Sequence, residues 1–323
     1  MPNVLTEFCI EIFQAINKAA QPFAVTSLIA SNILTNWQRL MKSNDEDDQY
    51  GLGSTIEVAG GRIAYESAGE GTAIVFIHAA IADRRMWGRE MGFFANDHRV
   101  VSFDMRGYGG STPATAPFSC VRDIRSLVSQ LDIKRPVLAG CSAGGGFAVE
   151  YALAFPGEVG GLMLAAPGLP STPYSAFGPE DKAAFDFDDR KSSEIADAWS
   201  KGDRQGALEL LRQLWCSSLT GANRELFLLM AEQNIEEVFN DRSAKHLERG
   251  VPPYIRLGEI HVPTTVLVGD RDNPSSLPFA RLVARGISGT RFVSIPGADH
   301  LINLSRPQEF EVELRSLAGR ALS

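Results

Sequence analysis

The run Leu138-Ala139-Gly140-Cys141-Ser142-Ala143-Gly144-Gly145-Gly146 restricts what this chain can fold into more than any other stretch. A short, mostly apolar approach from Arg135 to Ala139, bounded by Pro136, predicts the start of a buried strand. Ala143 to Phe155, with Phe147, Val149, Tyr151 and Leu153 and no interior proline, predicts a helix. Between them the chain must turn sharply from strand to helix with Ser142 at the apex. A serine held at positive φ tolerates only small neighbours, and Gly140 and Gly144 let strand and helix approach closely. Taken alone, the same residues also fit a plain glycine-rich turn with an incidental serine, so the rest of the chain has to decide what Ser142 is for.

The segments on either side have the texture of an alternating α/β protein. Thr55 to Val58 and Arg62 to Glu66 flank Gly60-Gly61 and read as a hairpin. Ala73 to Ile77 is an apolar strand ending at His78, and Arg99 to Phe103 is another ending at Asp104. A helix is expected over Cys120 to Leu131 with Ser119 as its cap. Further strands are expected at Gly161 to Ala165, Thr264 to Val268 and Arg291 to Ile295. Strands of this length separated by helical segments predict a mostly parallel sheet covered by helices on both faces.

Two regions depart from that texture. Residues 1–50 read as an N-terminal helical extension, with Leu5, Phe8, Ile12 and Ile16 on one face, a second helical stretch from Val25 to Met41, and an acidic linker carrying Asp45, Glu46, Asp47 and Asp48. Its apolar face has three candidate covers: its own domain, a second copy of the chain in a homodimer, or a membrane surface. Residues 167–255 open with Pro167, Pro170 and Pro173 and then turn helical around Ile195, Leu208 to Trp215 and Arg224 to Phe239. An insertion at that point between strands makes a helical lid over the carboxyl edge of the sheet, where open sheets bind ligands. Phe185, Trp199, Leu214, Trp215, Phe227 and Phe239 are its candidate pocket or core side chains. The remaining core is then expected over 51–166 and 256–323.

Composition removes several classes of function. A formal charge of -8 with no long basic cluster argues against a nucleic-acid partner. Cys9, Cys120, Cys141 and Cys216 show no C-x-x-C spacing, and His78, His98, His246, His261 and His300 form no H-E-x-x-H or close pair. Neither a disulfide scaffold nor a metal site is expected, and no cofactor motif stands out. The first twenty residues carry Glu7 and Glu11 and no continuous apolar core, so neither a signal peptide nor an integral membrane segment is expected, and a cytoplasmic location fits. The expected partner is a small-molecule substrate.

A serine hydroxyl becomes a nucleophile only with a base in reach and an acid that orients the base. In sheets of this kind the order along the chain is serine, acid, histidine. His300 follows the strand Phe292 to Ile295 through Pro296-Gly297-Ala298-Asp299, which puts it on a loop at the carboxyl edge. His261 precedes its strand and falls at the opposite edge, and His246 falls in the insertion. Thr264 to Val268 leads into Gly269-Asp270-Arg271-Asp272-Asn273-Pro274, where Asp272 lies deeper in the loop than Asp270. The preceding strand exit, Ala165-Ala166-Pro167-Gly168, offers no carboxylate. Oxyanion charge would be met by the backbone N–H groups of Ala143 at the helix start and Ala80 after His78, with Ala79 the weaker choice. Cys141 beside the serine is expected to pack within the sheet, with a thiol nucleophile as its rival reading. Arg84 and Arg85 are expected as solvated side chains and Trp87 as a cover over the sheet, while Asp104 and Arg106 are placed to knit neighbouring loops by ionic hydrogen bonds.

Together these residues resemble the α/β-hydrolase fold family. The resemblance rests on His78 and its following loop with Trp87, Asp104-Met105-Arg106-Gly107-Tyr108-Gly109-Gly110-Ser111, the Ser142 turn, Gly269 to Asp272, and Pro296 to His300, and it spans about residues 54 to 321. It implies Ser142 as nucleophile, Asp272 as acid, His300 as base, and Ala80 and Ala143 as oxyanion donors. Ala79 departs from the glycine that many relatives carry there, and the helical extension is foreign to the usual domain. Members with epoxide or haloalkane substrates use aspartate at the turn, so the resemblance is to lidded serine esterases, enol-lactonases and carbon–carbon bond hydrolases. The activity it implies is acyl-bond cleavage in a small hydrophobic molecule. The alternatives are carbon–carbon hydrolysis or lyase or cyclase chemistry with the same triad, and a non-catalytic ligand-binding protein.

Overall fold

Runs of apolar residues such as Ala73-Ile-Val-Phe-Ile77 and Val137-Leu-Ala-Gly-Cys141 are too short for buried helices and carry no polar face, so they pair side by side with both faces covered. In the computed structural model, which describes residues 53–114, 116–239 and 251–321 with the side chains of 238 and 239 excepted, they lie at the centre of an eight-stranded sheet. The expected extension over residues 1–50, together with Cys9, His246 and the Phe239 side chain, lies outside the described residues.

The strands are β1 (Ser54–Val58), β2 (Gly61–Ala68), β3 (Ala73–Ile77), β4 (Arg99–Phe103), β5 (Val137–Cys141), β6 (Gly161–Ala165), β7 (Thr264–Gly269) and β8 (Arg291–Ile295), in the order β1-β2-β4-β3-β5-β6-β7-β8. β1 and β2 form an antiparallel hairpin, β2 pairs antiparallel with β4, and all later pairings are parallel. The chain steps outward from β3 to β4 and then returns to the other side of β3 for β5. That reversal opens a crevice at the carboxyl ends of β3 and β5, which is where such sheets place ligands.

Alternation along the strands sorts the core into two layers. Ile74 and Phe76 face one layer with Trp87, Phe94 and Phe310, from the residues around α1 (Gly88–Phe94) and from α10 (Pro307–Ala321). Val75 and Ile77 face the other with Ile124, Val149 and Val283, from α2 (Cys120–Gln130), α3 (Ala143–Ala154) and α8 (Ser276–Gly286). Ser119 caps α2, accepting the Arg122 N–H at 3.3 Å.

The strand before Ser142 differs from the sequence expectation by two residues. Arg135 sits at φ 44°, outside the sheet, and pairing starts at Val137 and runs through Gly140 and Cys141, which face Leu164 and Ala165 of β6. Pro136 has no N–H to give a ladder, and its carbonyl is taken by the Gly160 N–H at 2.9 Å.

Between β6 and β7 the described chain holds no strand. It forms α4 (Lys182–Ser200), α5 (Arg204–Trp215), α6 (Gly221–Phe239) and the short α7 (Pro253–Arg256). Leu208, Leu211 and Leu214 of α5 and Phe227 and Met230 of α6 join the layer that contains Phe76. The start of α4 is held differently: Phe185 meets Tyr174, Phe177 and, on α8, Phe279 in a cluster of rings. The last short α segment of the core, α9 (Ile302–Ser305), follows the β8 loop. Among the described residues no helix is long and apolar enough to cross a membrane.

Candidate active site

Ser142 stands between the end of β5 and the first residue of α3, with φ 54° and ψ -118°. Side chains rarely adopt this region, which costs about 1–3 kcal/mol and persists only where surrounding bonds over-determine it. Here the Ser142 N–H donates to Ala165 at 2.9 Å, and its carbonyl accepts from Gly146 at 3.1 Å and Gly168 at 3.0 Å. A Cβ on Gly140 would lie 2.3 Å from the Gly144 carbonyl oxygen, and one on Gly144 would lie 2.3 Å from that of Ile77. The glycines around Ser142 therefore serve close approach of β5, α3 and β3, which lifts the serine above the sheet edge.

His300 and Asp272 arrive from neighbouring loops. Asp272 leaves β7 and His300 leaves β8, and the imidazole Nδ1 lies 3.0 Å from both carboxylate oxygens. Their side chains are 5% and 1% exposed. A proton shared at Nδ1 makes Nε2 the basic nitrogen of the ring. Asp270 is exposed and plays a different part, accepting the Gly297 N–H at 2.6 Å and so fixing the turn that leads to His300. His261 stands just ahead of β7, at the far end of that strand.

The loop after His78 is oriented by a tautomer. The His78 Nε2 accepts the Met105 N–H at 2.9 Å, so Nδ1 carries the proton and donates to the Ala79 carbonyl at 2.8 Å. That carbonyl also accepts from Ala82 at 3.0 Å. In a trans peptide C=O and N–H point in opposite directions, so the Ala80 N–H is turned away from His78. The Tyr108 hydroxyl then donates to the Ala80 carbonyl at 2.9 Å and fixes the next peptide. Ala79 is fully buried, whereas Ala80 borders open space. The Ala143 N–H belongs to the first turn of α3 and has no carbonyl one turn earlier to bond to.

Ala80, Ser142 and His300 line one cavity of about 420 Å³, completed by Ile81 and by Ser192, Ile195, Ala196, Leu211 and Trp215 of the helical segment. Its wall is apolar apart from Ser142, His300 and Ser192. Of the insertion side chains singled out from sequence, only Trp215 lines this cavity; Phe185, Leu214 and Phe227 are buried packing. Ser192, Ile195 and Ala196 lie along one side of α4, a spacing that marks a helix face but names no ligand.

Each loop that carries a candidate site residue also meets the insertion through polar side chains. Asp188 of α4 accepts from Asn273 at 2.6 Å and Ser275 at 3.2 Å, next to Asp272. Asn234 of α6 donates to Asp83 at 2.8 Å, on the loop that begins at His78. Asp299 accepts from the Ser218 N–H and hydroxyl, and the His300 N–H donates to the Trp215 carbonyl. Asp83 is held below its usual carboxylate range: burial pushes it up, and this is outweighed by Arg85, His78 and the Asn234 amide.

Arg84 corrects a sequence expectation. Instead of lying in solvent it is 2% exposed, with its guanidinium between Glu66 at 3.0 Å and Asp104. The reason is the preceding Asp83-capped turn, which tucks the arginine against the exit of β4 and the neighbouring Glu66 of β2. Arg85 is likewise engaged, bridging Asp83 and Gln233. Asp104 and Arg106 do tie loops together, but with separate partners: Asp104 takes Arg84, and Arg106 takes both oxygens of Asp123 at 3.0 and 2.8 Å. Trp87 is fully buried and stacks on Phe76 with ring centroids 5.1 Å apart. Cys141 is buried in β5, and burial pushes its thiol well above the usual range, so it stays protonated. Among the described residues no group of His, Cys, Asp and Glu is arranged to hold a metal ion.

Known proteins share this fold. The AB hydrolase superfamily protein YisY of Bacillus subtilis is 27% identical over 245 residues, covering 73% of this chain and 87% of its own. The esterase EaEST from Exiguobacterium antarcticum superposes with a TM-score of 0.68 at 22% identity, over 82% of this chain and 98% of its own. Est816, described as an N-acyl homoserine lactone degrading enzyme, superposes with a TM-score of 0.63 at 24% identity, over 81% of this chain and 99% of its own. The model of the alpha/beta hydrolase family matches residues 74–313, from β3 into the last helix, and the chain belongs to that family.

Proposed function

We propose that the protein is a serine hydrolase that cleaves an ester, lactone or related acyl bond of a small hydrophobic molecule through an acyl-enzyme. The observation that carries this reading is the shared cavity wall: Ser142 on its strained turn and His300, paired with Asp272, open onto the same apolar space. His300 takes the hydroxyl proton of Ser142 as its oxygen attacks the carbonyl carbon, and Asp272 stabilises the imidazolium that forms. The Ala80 and Ala143 amides donate to the oxyanion. His300 then returns the proton to the leaving oxygen, and water releases the acyl group by the same steps in reverse.

The cavity suits an uncharged acyl portion, because none of its lining side chains is a lysine, an arginine or a carboxylate. The similarity to an esterase and to a lactone-degrading enzyme supports the same chemistry. A fluorophosphonate probe is expected to label wild-type protein at Ser142 and to leave folded Ser142→Ala unlabelled. Labelling should coincide with turnover of a neutral short-chain p-nitrophenyl ester. A folded wild-type protein that neither labels nor hydrolyses any member of an acyl-ester and lactone panel would overturn the proposal.

A further inference from the structure

We propose, on the basis of that serine-hydrolase reading, that Asp299 is a positioning residue: it fastens the stretch around Trp215 and Ser218 onto the His300 loop, so that the insertion builds one wall of the base's socket.

Asp299 is fully buried and lies outside the Ser142, His300 and Asp272 set. Its Oδ2 accepts both the backbone N–H of Ser218 at 3.0 Å and the Ser218 hydroxyl at 2.6 Å, across 81 residues of chain. Its Oδ1 has no hydrogen-bond partner among the described residues. A buried carboxylate is costly without donors, and hydrogen bonds to a charged acceptor are about twice as strong as neutral ones. The two Ser218 donors therefore carry most of what compensates this group, and burial still pushes its pKa up.

The next residue shows what the tether positions. The His300 N–H donates to the Trp215 carbonyl at 3.0 Å, and the two rings sit with centroids 4.4 Å apart. On its other side the His300 carbonyl accepts from the Cys141 thiol at 3.5 Å, one residue before Ser142. The backbone of the base is thus gripped by the insertion through its N–H and by the strand of the nucleophile through its C=O. Trp215 also lines the cavity, so one segment both limits the imidazole and shapes the space for substrate. Asp299 sets the register of that segment, because Ser218 follows Trp215 by less than one helical turn.

The test compares wild type with Asp299→Ala, Asp299→Asn and Ser218→Ala. The measurements are the rate of fluorophosphonate labelling at Ser142, and kcat and KM for a neutral short-chain p-nitrophenyl ester, well below each melting temperature. Small displacements of reacting groups are costly, so Asp299→Ala is expected to lower kcat and the labelling rate about tenfold or more with KM changed far less. Asp299→Asn keeps an acceptor for Ser218 and is expected to recover most of the loss, while Ser218→Ala, which retains the backbone donor, falls between. A folded Asp299→Ala with wild-type kcat and labelling rate, and only a lower melting temperature, would overturn the positioning role. If Asp299→Ala does not fold, Ser218→Ala decides: a fall in kcat of about threefold supports the role, and wild-type kcat overturns it. Failure of the wild-type protein itself to label and turn over would remove the serine-hydrolase reading and this role with it, whereas normal wild-type behaviour with an indifferent Asp299 removes the role alone.

Discussion

The sheet and α4, the first α-helix between β6 and β7, are held in place by different means. Every residue of β3, β5, β6 and β7 is buried, and their side chains feed two apolar layers. In α4, by contrast, only Phe185 and Ile195 of 19 residues are buried. Its neighbour loops are reached through Asp188, and the rest of the segment meets the site through Asn234 with Asp83 and through Ser218 with Asp299. Burial of apolar area is non-directional and tolerates small shifts, whereas a carboxylate held by named donors fixes one register. The scaffold therefore supplies stability and the polar tethers supply position.

The largest effect expected from breaking this division is on activity from a change on the sheet side. Ser142→Gly removes the proposed nucleophile while relieving the φ 54° backbone. Turnover should fall by at least about a thousandfold while the melting temperature holds or rises. Steady-state kinetics beside thermal denaturation checks both halves, and a drop in stability would mean the turn is not strained.

Next in size is the cost of hollowing the scaffold. Phe76 is fully buried against Trp87, and Phe76→Ala should destabilise by about 3–5 kcal/mol in urea denaturation. The matching change in the insertion, Asp188→Ala, should cost no more than about 1–2 kcal/mol, since it removes hydrogen bonds and not core volume. It should nevertheless lower kcat/KM several-fold, because Asn273 and Ser275 sit beside Asp272. Equal stability losses for Phe76→Ala and Asp188→Ala would erase the contrast between the two regions.

The smallest effect sharpens the comparison from within the scaffold. Glu90 of α1 is fully buried, and burial pushes its pKa from 4.5 up to about 8, against the pull of the Asn303 amide. The native protein then keeps this proton to higher pH than the unfolded chain does. Stability should therefore fall as pH rises from about 4.5 towards 8, and Glu90→Gln should flatten that slope. Urea midpoints at pH 5, 7 and 8.5 read this directly, and an unchanged slope in the variant would assign it to another group.

Much of the fold was legible because it repeats local rules. β3 is readable from its unbroken apolar run, β4 from the shorter Val100-Val101 pair and Phe103, and the turn at Ser142 from its small residues. The start of β5 was misplaced because a proline beside a residue at positive φ reads, in sequence, like a strand opening. Polar pairing was far less legible. Arg84 meets Glu66 and Asp104, 18 and 20 residues away, and nothing in the periodicity of its turn announces either. Asp299 and Ser218 are 81 residues apart, and in sequence Asp299 reads only as part of the turn that leads to His300. His300 and Asp272 are readable as residues of neighbouring carboxyl-edge loops because each follows its own strand by a short turn; the walls around them come from a segment with no such frame.

The burial of Cys216, next to Trp215, has a kinetic consequence. Burial, with Asp299 and Asp272 nearby, pushes its thiol pKa up, so the sulfur is both covered and un-ionised. Alkylating agents react with exposed thiolate, and so in the folded protein this sulfur is silent. Alkylation of the native protein is therefore expected to leave Cys216 unmodified and to reach it once the chain is unfolded, a contrast that mass spectrometry reads without any substrate.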